Sequence, residues 1–181
     1  MLDADVAIRK ANLRDVVPLL RLINGYAAQG IMLPRTELEL SESIRDFTVA
    51  EAGEEIVGCG ALHFYGPNTA EVRSLAVRPE AKGLGIGTQL VEALEIDARD
   101  KDVRAVFAFT YVPRFFEKLG FVEARRQELP SKVWKDCLKC PKFQCCYEIA
   151  MRKTLGTPVN GVDLSSEAEA PEPALLPILK T

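Results

Sequence analysis

The spacing of apolar and polar residues divides most of the chain into helix-like and strand-like segments. Two N-terminal segments place apolar residues three and four positions apart, as one face of a helix requires. Each segment opens with a capping residue followed three positions later by an acid, which is typical of a helix N-terminus. The caps are Asn12 with Asp15 and Thr36 with Glu39, and the apolar faces are Val16, Leu19, Leu20 and Ile23, then Leu40, Ile44 and Phe47.

Segments rich in β-branched and aromatic residues predict the strands of a sheet. Ala52 and Gly53 mark a hairpin turn, and the almost continuous apolar run at 103–110 is typical of a strand buried on both faces. Residues 113–121 predict a short helix ended by Gly120. The strand-like segments are a hairpin at 47–65 and single strands at 70–77, 103–110, 121–127 and 147–153.

Three glycines, Gly83, Gly85 and Gly87, stand where a helix predicted from about Gly85 to Arg99 begins. A strand that enters a glycine-rich turn and a helix N-terminus can bind an anion, because the first N–H groups of the helix have no helical partner. A dinucleotide fingerprint would place its third glycine one residue later, and a Walker loop would place its lysine after the glycines. By themselves, the glycines fit a phosphate site or a turn that binds nothing.

Composition and charge narrow the class of protein. The 181 residues are 48% hydrophobic and 27% charged, which suits one globular domain, and we assign it to residues 1–155. The net charge of -3 gives no field that would attract nucleic acid or an anionic membrane, so we expect neither as a partner. The start lacks a secretory pattern and no apolar run approaches the ~20 residues of a membrane span, so we expect a cytoplasmic protein. We expect residues 156–181 to be a disordered, acidic, Pro/Ala-rich tail.

The string Lys82-x-x-Gly85-x-Gly87 resembles motif A of the GNAT N-acetyltransferases, with Lys82 where that family usually has Gln or Arg. The order of predicted elements and the string FFEKLGF at 115–121 are also similar to that family. The resemblance extends from about residue 6 to 153. It implies the GNAT acyl-CoA N-acyltransferase fold of the α/β (α+β) class, a mixed, mostly antiparallel, splayed sheet flanked by helices.

The resemblance implies that acetyl-CoA is the cosubstrate. Its pyrophosphate would lie on backbone amides of the glycine loop, and its pantetheine arm would pair with the backbone at Leu75 and Val77. An amide near Leu75 would polarise the thioester carbonyl. The implied cofactor-binding residues are Leu75, Ala76, Val77, Lys82, Gly83, Leu84, Gly85, Ile86, Gly87 and Thr88.

Acetyl transfer to an amine also needs a base within reach of the amine. By resemblance to GNAT enzymes that acetylate histones, Glu71 is the candidate base, and the alternative is that Glu71 only pairs with Arg73 on the same strand face. The family often protonates the departing thiolate with a tyrosine at the position of Phe116. Tyr111 or solvent would replace it here.

Longer strings, at 29–51, 109–130 and 128–151, are similar to the acetyltransferase domain of bacterial N-acetylglutamate synthases, and more so to their short, stand-alone form. That resemblance implies transfer of acetyl to the α-amino group of L-glutamate for arginine biosynthesis. Arginine is the best bidentate partner for the two carboxylates of such an acceptor, although any one arginine is as compatible with a solvated side chain. The implied substrate-binding residues are Leu33, Arg35, Cys59, Arg73 and Thr110.

Two other functions fit the sequence: acetylation of a different amine, such as a protein N-terminus or a polyamine, and a non-catalytic sensor of acyl-CoA or amino acids. An activity assay would separate an enzyme from a sensor, since only an enzyme releases CoA steadily from acetyl-CoA. A homodimer is compatible with the sequence, but the oligomeric state does not follow from it.

The four cysteines at 137–146 and the single histidine are candidate metal ligands or catalytic residues. Cys137, Cys140, Cys145 and Cys146 suggest a zinc or iron–sulfur site, but an adjacent pair is a poor bite for one ion. We therefore expect no metal, and reduced thiols or a reversible disulfide instead. His63, the one histidine, shares a strand face with Cys59, and we expect a structural role for it rather than a catalytic one.

Overall fold

The computed structural model describes residues 5–129 and 147–156, which form one mixed β-sheet with helices on both faces. The cysteine cluster at 137–146 and the predicted tail from 157 onward lie outside the described residues. The strands of the described part are β1 (Val6–Lys10), β2 (Phe47–Ala52), β3 (Glu55–Phe64), β4 (Thr69–Val77), β5 (Ala105–Thr110), β6 (Val122–Glu123) and β7 (Ile149–Thr154). Its helices are α1 (Val16–Ala28), α2 (Glu37–Glu42), α3 (Ile86–Arg99) and α4 (Pro113–Lys118).

The sheet splits between its two central strands. Its order is β1-β2-β3-β4-β5-β7-β6, and every neighbouring pair is antiparallel except β4 with β5. That parallel pairing extends only over Thr69–Glu71 and Ala105–Phe107. Beyond Glu71, no described strand pairs with β4 on this side, so the two strands diverge. The predicted mixed, mostly antiparallel and splayed sheet is confirmed.

A bulge in β4 lies at the point of divergence. The register between β3 and β4 shifts between Cys59 and Ala61, and Ser74 adopts a φ of 53°, in the left-handed region. A bulge bends its strand and increases the local twist, which turns the end of β4 away from β5. A non-glycine residue in this region stores strain on the order of 1 kcal/mol or more, which the surrounding sheet sustains.

Side chains of the central strands alternate between two apolar layers. On one face, Ala61 packs in a buried cluster with Leu19 and Ile23 of α1 and with Leu40 of α2. On the other face, the adjacent Leu62 packs with Val91, Leu94 and Ala98 of α3, and with Phe116 of α4. This period of two follows from the pleat of a strand, and it places α1 and α2 on the face opposite to α3 and α4.

Both predicted capping residues form capping boxes, but one predicted helix starts later and the other is shorter than expected. Asn12 caps a 3-10 turn (Leu13–Asp15) that leads directly into α1, and Thr36 caps α2. However, α2 ends at Glu42, residues 44–46 form a 3-10 turn, and Phe47 begins β2 instead of extending the helix face. The hydroxyls of Ser41 and Ser43 bond to carbonyls four residues earlier, which weakens a helix, and Phe47 gains ladder pairing with Ala61. The closing strand predicted at 121–127 is likewise reduced to β6.

A buried ion pair joins α3 to β7. Glu95 is 4% exposed, and its two oxygens lie 2.6 and 2.8 Å from Nζ of Lys153. Glu95→Ala should lower the free energy of unfolding by about 3 kcal/mol, because Lys153 loses the carboxylate that offsets its desolvation. Urea unfolding followed by circular dichroism measures this. Glu92→Ala, at an exposed site on the same helix, is the control and should change the free energy of unfolding by less than about 0.5 kcal/mol. Equal urea midpoints for Glu95→Ala and Glu92→Ala would show that the ion pair does not stabilise the fold.

Candidate active site

The start of α3 presents backbone N–H groups that no helical bond uses. Gly85 caps the helix with a φ of 79°, and the first helical bond runs from the N–H of Gln89 to the carbonyl of Gly85. The N–H groups of residues 86–88 therefore lie outside the helical ladder. A Cβ built on Gly83 or Gly85 would have no neighbour within 4 Å, so the space above this loop is open. The loop fits a bound pyrophosphate.

The third glycine has a different role from the first two. A Cβ on Gly87 would lie 3.3 Å from the ring of Phe115, the residue that α4 packs against the first turn of α3. Gly83 and Gly85 have positive φ, whereas Gly87 lies inside the helix. Gly87 therefore allows the close approach of α4, and only the first two glycines are required by backbone conformation.

Tyr26, on α1, connects the glycine loop to the end of β4. Its hydroxyl donates to the carbonyl of Val77 at 2.5 Å, and its ring lies 5.0 Å from Nζ of Lys82. Lys82 is exposed at the start of the loop, where its ammonium can meet an anion. This role of Tyr26 was not predicted from the sequence, although its spacing from Leu19 and Ile23 places Tyr26 on the buried face of α1. The predicted cofactor-binding residues on β4, Leu75, Ala76 and Val77, lie on the arm that diverges from β5.

Glu71 lies where the sheet splits. It is the last residue of β4 that pairs with β5, and its partner there is Phe107. Its Oε2 accepts a hydrogen bond from the hydroxyl of Tyr65 at 3.0 Å. His63 is its partner across β3, and Arg73 follows on the same face, which is also the face of α1 and α2. The structure thus places the candidate base at the inner end of the gap, on the strand face that also carries Arg73.

Arg35, the other candidate for binding the acceptor, lies on the same side of the sheet in the loop between α1 and α2. Asn24 of α1 fixes the backbone of this residue: it accepts from the N–H of Arg35 at 2.8 Å and donates to its carbonyl at 2.9 Å. The Arg35 side chain is half-buried, and Leu33 in the same loop is 46% exposed. Asn24 was not predicted, because a polar residue within a helix gives no sign of a loop partner eleven residues away.

The remaining predicted residues have contrasting surroundings. Thr110 is buried at the end of β5, and its hydroxyl accepts from the N–H of Val112 at the start of α4. Tyr111 is 42% exposed just beyond that strand. Phe116, where the resembling family often has a tyrosine, is buried and packs edge-on against Phe115 and Phe121. Of these residues, Tyr111 alone places a phenol at the surface.

Cys59 is completely buried in the core cluster beneath α1. Its thiol donates to the carbonyl of Ser74 at 3.4 Å, so it is tied to the bulge in β4. Burial raises the pKa of the Cys59 thiol to about 12, although the N–H of Ala76 opposes the increase. His63 is half-buried, with Nδ1 3.2 Å from Oδ2 of Asp46, a contact that fits the structural role expected for it.

The buried thiol of Cys59 should resist alkylation. At pH 8 a group with a pKa near 12 is almost entirely protonated, and only the thiolate reacts. Iodoacetamide should leave Cys59 unmodified in the folded protein and label it after unfolding in urea. Peptide mapping by mass spectrometry assigns the label to each cysteine separately. Rapid native labelling of Cys59 would show that its thiol reaches solvent.

Two further observations bear on the class of site. Within residues 5–129 and 147–156, no three His, Cys, Asp or Glu side chains are grouped closely enough to hold a metal ion. None of the helices in those residues has the length and apolar character that crossing a membrane requires.

Comparisons with known proteins agree with this geometry. Residues 18–121 match the model of the acetyltransferase (GNAT) family. An uncharacterised N-acetyltransferase of Chlorobaculum tepidum is 43% identical over 84% of this chain and 98% of its own length. An amino-acid acetyltransferase of Mycobacterium tuberculosis is 34% identical over 74% of this chain and 78% of its own length.

A solved structure is also similar. N-acetylglutamate synthase of Neisseria gonorrhoeae, complexed with coenzyme A and N-acetyl-glutamate, superposes with a TM-score of 0.77 at 29% identity. The alignment covers 85% of this chain and 36% of that protein, so the chain spans about a third of its length. The family match and the split sheet with its glycine-capped helix lead to one conclusion: the chain belongs to the GNAT family and is an N-acetyltransferase that uses acetyl-CoA.

Proposed function

We propose that this protein transfers the acetyl group of acetyl-CoA to the α-amino group of L-glutamate, giving N-acetyl-L-glutamate for arginine biosynthesis. The observation that carries the proposal is the pair of half-buried arginines, Arg35 and Arg73, on the face of the sheet that also holds Glu71. An acceptor with two carboxylates needs two cations, and an amine without carboxylates would instead favour acidic neighbours. The names of the mycobacterial relative and of the Neisseria enzyme support the same acceptor class.

Each residue in this proposal has one task. Acetyl-CoA, once bound, supplies the activated acetyl group. The amides at the start of α3 and the ammonium of Lys82 hold its phosphates, and the part of β4 that diverges from β5 holds its pantetheine group. Glu71 takes the proton from the acceptor ammonium, so that the amine has a lone pair to attack. Tyr111, at the exposed end of β5, is the candidate proton donor to the departing thiolate, with water as the alternative.

The test is CoA release, followed with a thiol reagent, across a panel of amino acids and amines. Glutamate should give the highest kcat/KM, with aspartate and glutamine lower because each disturbs the fit of the second carboxylate. A preference for a polyamine or a peptide N-terminus would overturn the acceptor assignment. No CoA release with any acceptor would overturn the proposed catalysis and favour a sensor.

Arg35 should determine acceptor affinity. Loss of a charge-assisted hydrogen-bonded pair costs about 1.5–3 kcal/mol, so Arg35→Ala should raise the KM for glutamate roughly 10- to 150-fold. The KM for acetyl-CoA should stay near its original value, and Arg35→Lys should restore only part of the loss, since an ammonium lacks the planar fork. Steady-state kinetics with each substrate varied in turn measures both constants.

Arg21→Ala is the matched control, because Arg21 is an exposed arginine of α1. It should leave the kinetics for both substrates unchanged. If Arg35→Ala behaves like this control, Arg35 does not contact the acceptor.

A further inference from the structure

The side chain of Tyr65 donates a hydrogen bond to the candidate base, and the proposed reaction gives this residue no role. It follows β3 directly, and its hydroxyl donates to Oε2 of Glu71 at 3.0 Å. Its own N–H bonds to the carbonyl of Thr69 at 3.0 Å, which closes the turn between β3 and β4. The backbone of Tyr65 is thus fixed to the strand that carries Glu71.

The ring of Tyr65 packs between other aromatic rings. It packs edge-on against His63, with ring centroids 5.0 Å apart and an interplanar angle of 84°. On its other side lies Phe107, at 5.6 Å, which in turn packs edge-on against Phe109. Asp46 orients the His63 ring through the 3.2 Å contact to Nδ1. A hydroxyl on a ring held in this way is a donor in a fixed place, and such preorganised donors are the ones that improve catalysis.

We propose that Tyr65 is a positioning residue for acetyl transfer: its hydroxyl holds one oxygen of Glu71 and so keeps the carboxylate charged and correctly oriented to take the proton of the acceptor ammonium. This inference rests on the proposed function, in which Glu71 is the base. A hydrogen bond to the charged form of a carboxylate favours that form, so Tyr65 extends the pH range in which Glu71 can act toward the acid side.

Other charged or titratable groups lie on or near the strands next to Glu71, and they remain in place when the hydroxyl is removed. Arg73 lies on the same strand face, and the His63–Asp46 pair lies on the β3 side. On the β5 side, Arg126 lies over the ring of Phe109 at 5.5 Å, and Arg152 is the partner of Phe107 across β7. Because Tyr65→Phe changes none of these groups, a shift in the pH profile can be assigned to the hydroxyl.

The experiment is the pH profile of kcat/KM for the best acceptor, in wild type and in Tyr65→Phe. Without the donor, the acid limb should move to higher pH by about one unit, so that kcat/KM at a pH on that limb falls about tenfold while the plateau is retained. Tyr147→Phe is the matched control. It also removes a tyrosine hydroxyl, but Tyr147 is 82% exposed and has no role in the proposed site, so the acid limb of this variant should coincide with that of wild type.

A second substitution at the same position provides a test even if Tyr65→Phe does not fold stably. Replacing Tyr65 with 3-fluorotyrosine keeps the ring and makes the hydroxyl a stronger donor, so the acid limb should move to lower pH. An unchanged limb in both substituted proteins would overturn the inference.

The failure of this inference can be told apart from failure of the proposed function. If Glu71→Gln keeps wild-type activity, Glu71 is not the base, and the proposed mechanism fails together with this inference. If Glu71→Gln is inactive but the acid limbs of Tyr65→Phe and of the 3-fluorotyrosine protein both coincide with that of wild type, only the inference fails. If the wild type turns over no acceptor, the proposed function fails, and the 13C shift of the Glu71 carboxyl, assigned with Glu71→Gln, still reports the titration. An identical titration in wild type and Tyr65→Phe would then overturn the inference.

Discussion

Glu71→Gln is expected to lower kcat by about 10²- to 10⁴-fold, the usual contribution of a general base. The amide oxygen can still accept the hydrogen bond from Tyr65, so the side chain keeps its place but cannot take up a proton. Both KM values should stay within about threefold of wild type, because Glu71 acts on the acceptor proton rather than on the affinity for either substrate. Steady-state CoA release at saturating substrates measures kcat.

Glu54→Gln makes the same chemical change at an exposed site in the turn between β2 and β3. It should have wild-type kinetics. If Glu71→Gln were equally active, the carboxylate would have a structural role, as in the alternative of a simple pairing with Arg73.

Gly85→Asp is expected to weaken acetyl-CoA binding by roughly 100-fold or more. It would place a carboxylate beside amides that otherwise face a phosphate, so the ligand would lose charge-assisted hydrogen bonds and meet a like charge. The fold should survive, because aspartate tolerates the left-handed conformation that Gly85 adopts better than most residues do. Isothermal titration calorimetry measures the affinity.

Gly85→Asn separates charge from shape, since asparagine has the same size and also tolerates positive φ. Its affinity for acetyl-CoA should lie between those of wild type and Gly85→Asp. Equal affinities for the aspartate and asparagine variants would show that the carboxylate meets no phosphate at this loop.

Features that depend on a few neighbouring residues could be predicted from the sequence. Asn12 caps the 3-10 turn before α1, and Thr36 caps α2, because the partner of each cap is three residues away. The glycine loop and the start of α3 were located to within one residue, because positive φ leaves few choices besides glycine. The continuous apolar run at 103–110 is found as β5, an interior strand of the sheet.

Features that depend on register between distant segments could not be predicted. The bond from Tyr65 to Glu71 exists because β3 and β4 pair in one register, and a shift of one residue would place Glu71 on the other face. The left-handed Ser74 has no signal in its own residue type, since the shift in register between two strands imposes it. The end of α2 before Phe47 could not be predicted either. The spacing of Phe47 fits the predicted helix face, but its pairing with Ala61 of β3 places it in β2 instead.

The contact between Asn24 and Arg35 has a consequence for how new specificities can arise. Within the described part of the chain, the side chain of Asn24 bonds to the main chain of residue 35 alone, through its N–H and its carbonyl, so these bonds do not depend on which side chain residue 35 carries. Most residues at position 35 would retain both bonds, and proline alone would lose the N–H donor. In the proposed site, where residue 35 binds the acceptor, the placement of the loop and the acceptor preference are therefore separable. Variants with acidic, neutral or basic side chains at position 35 should therefore keep the same loop conformation. This property makes position 35 a suitable site for changing acceptor specificity, by natural or by directed evolution.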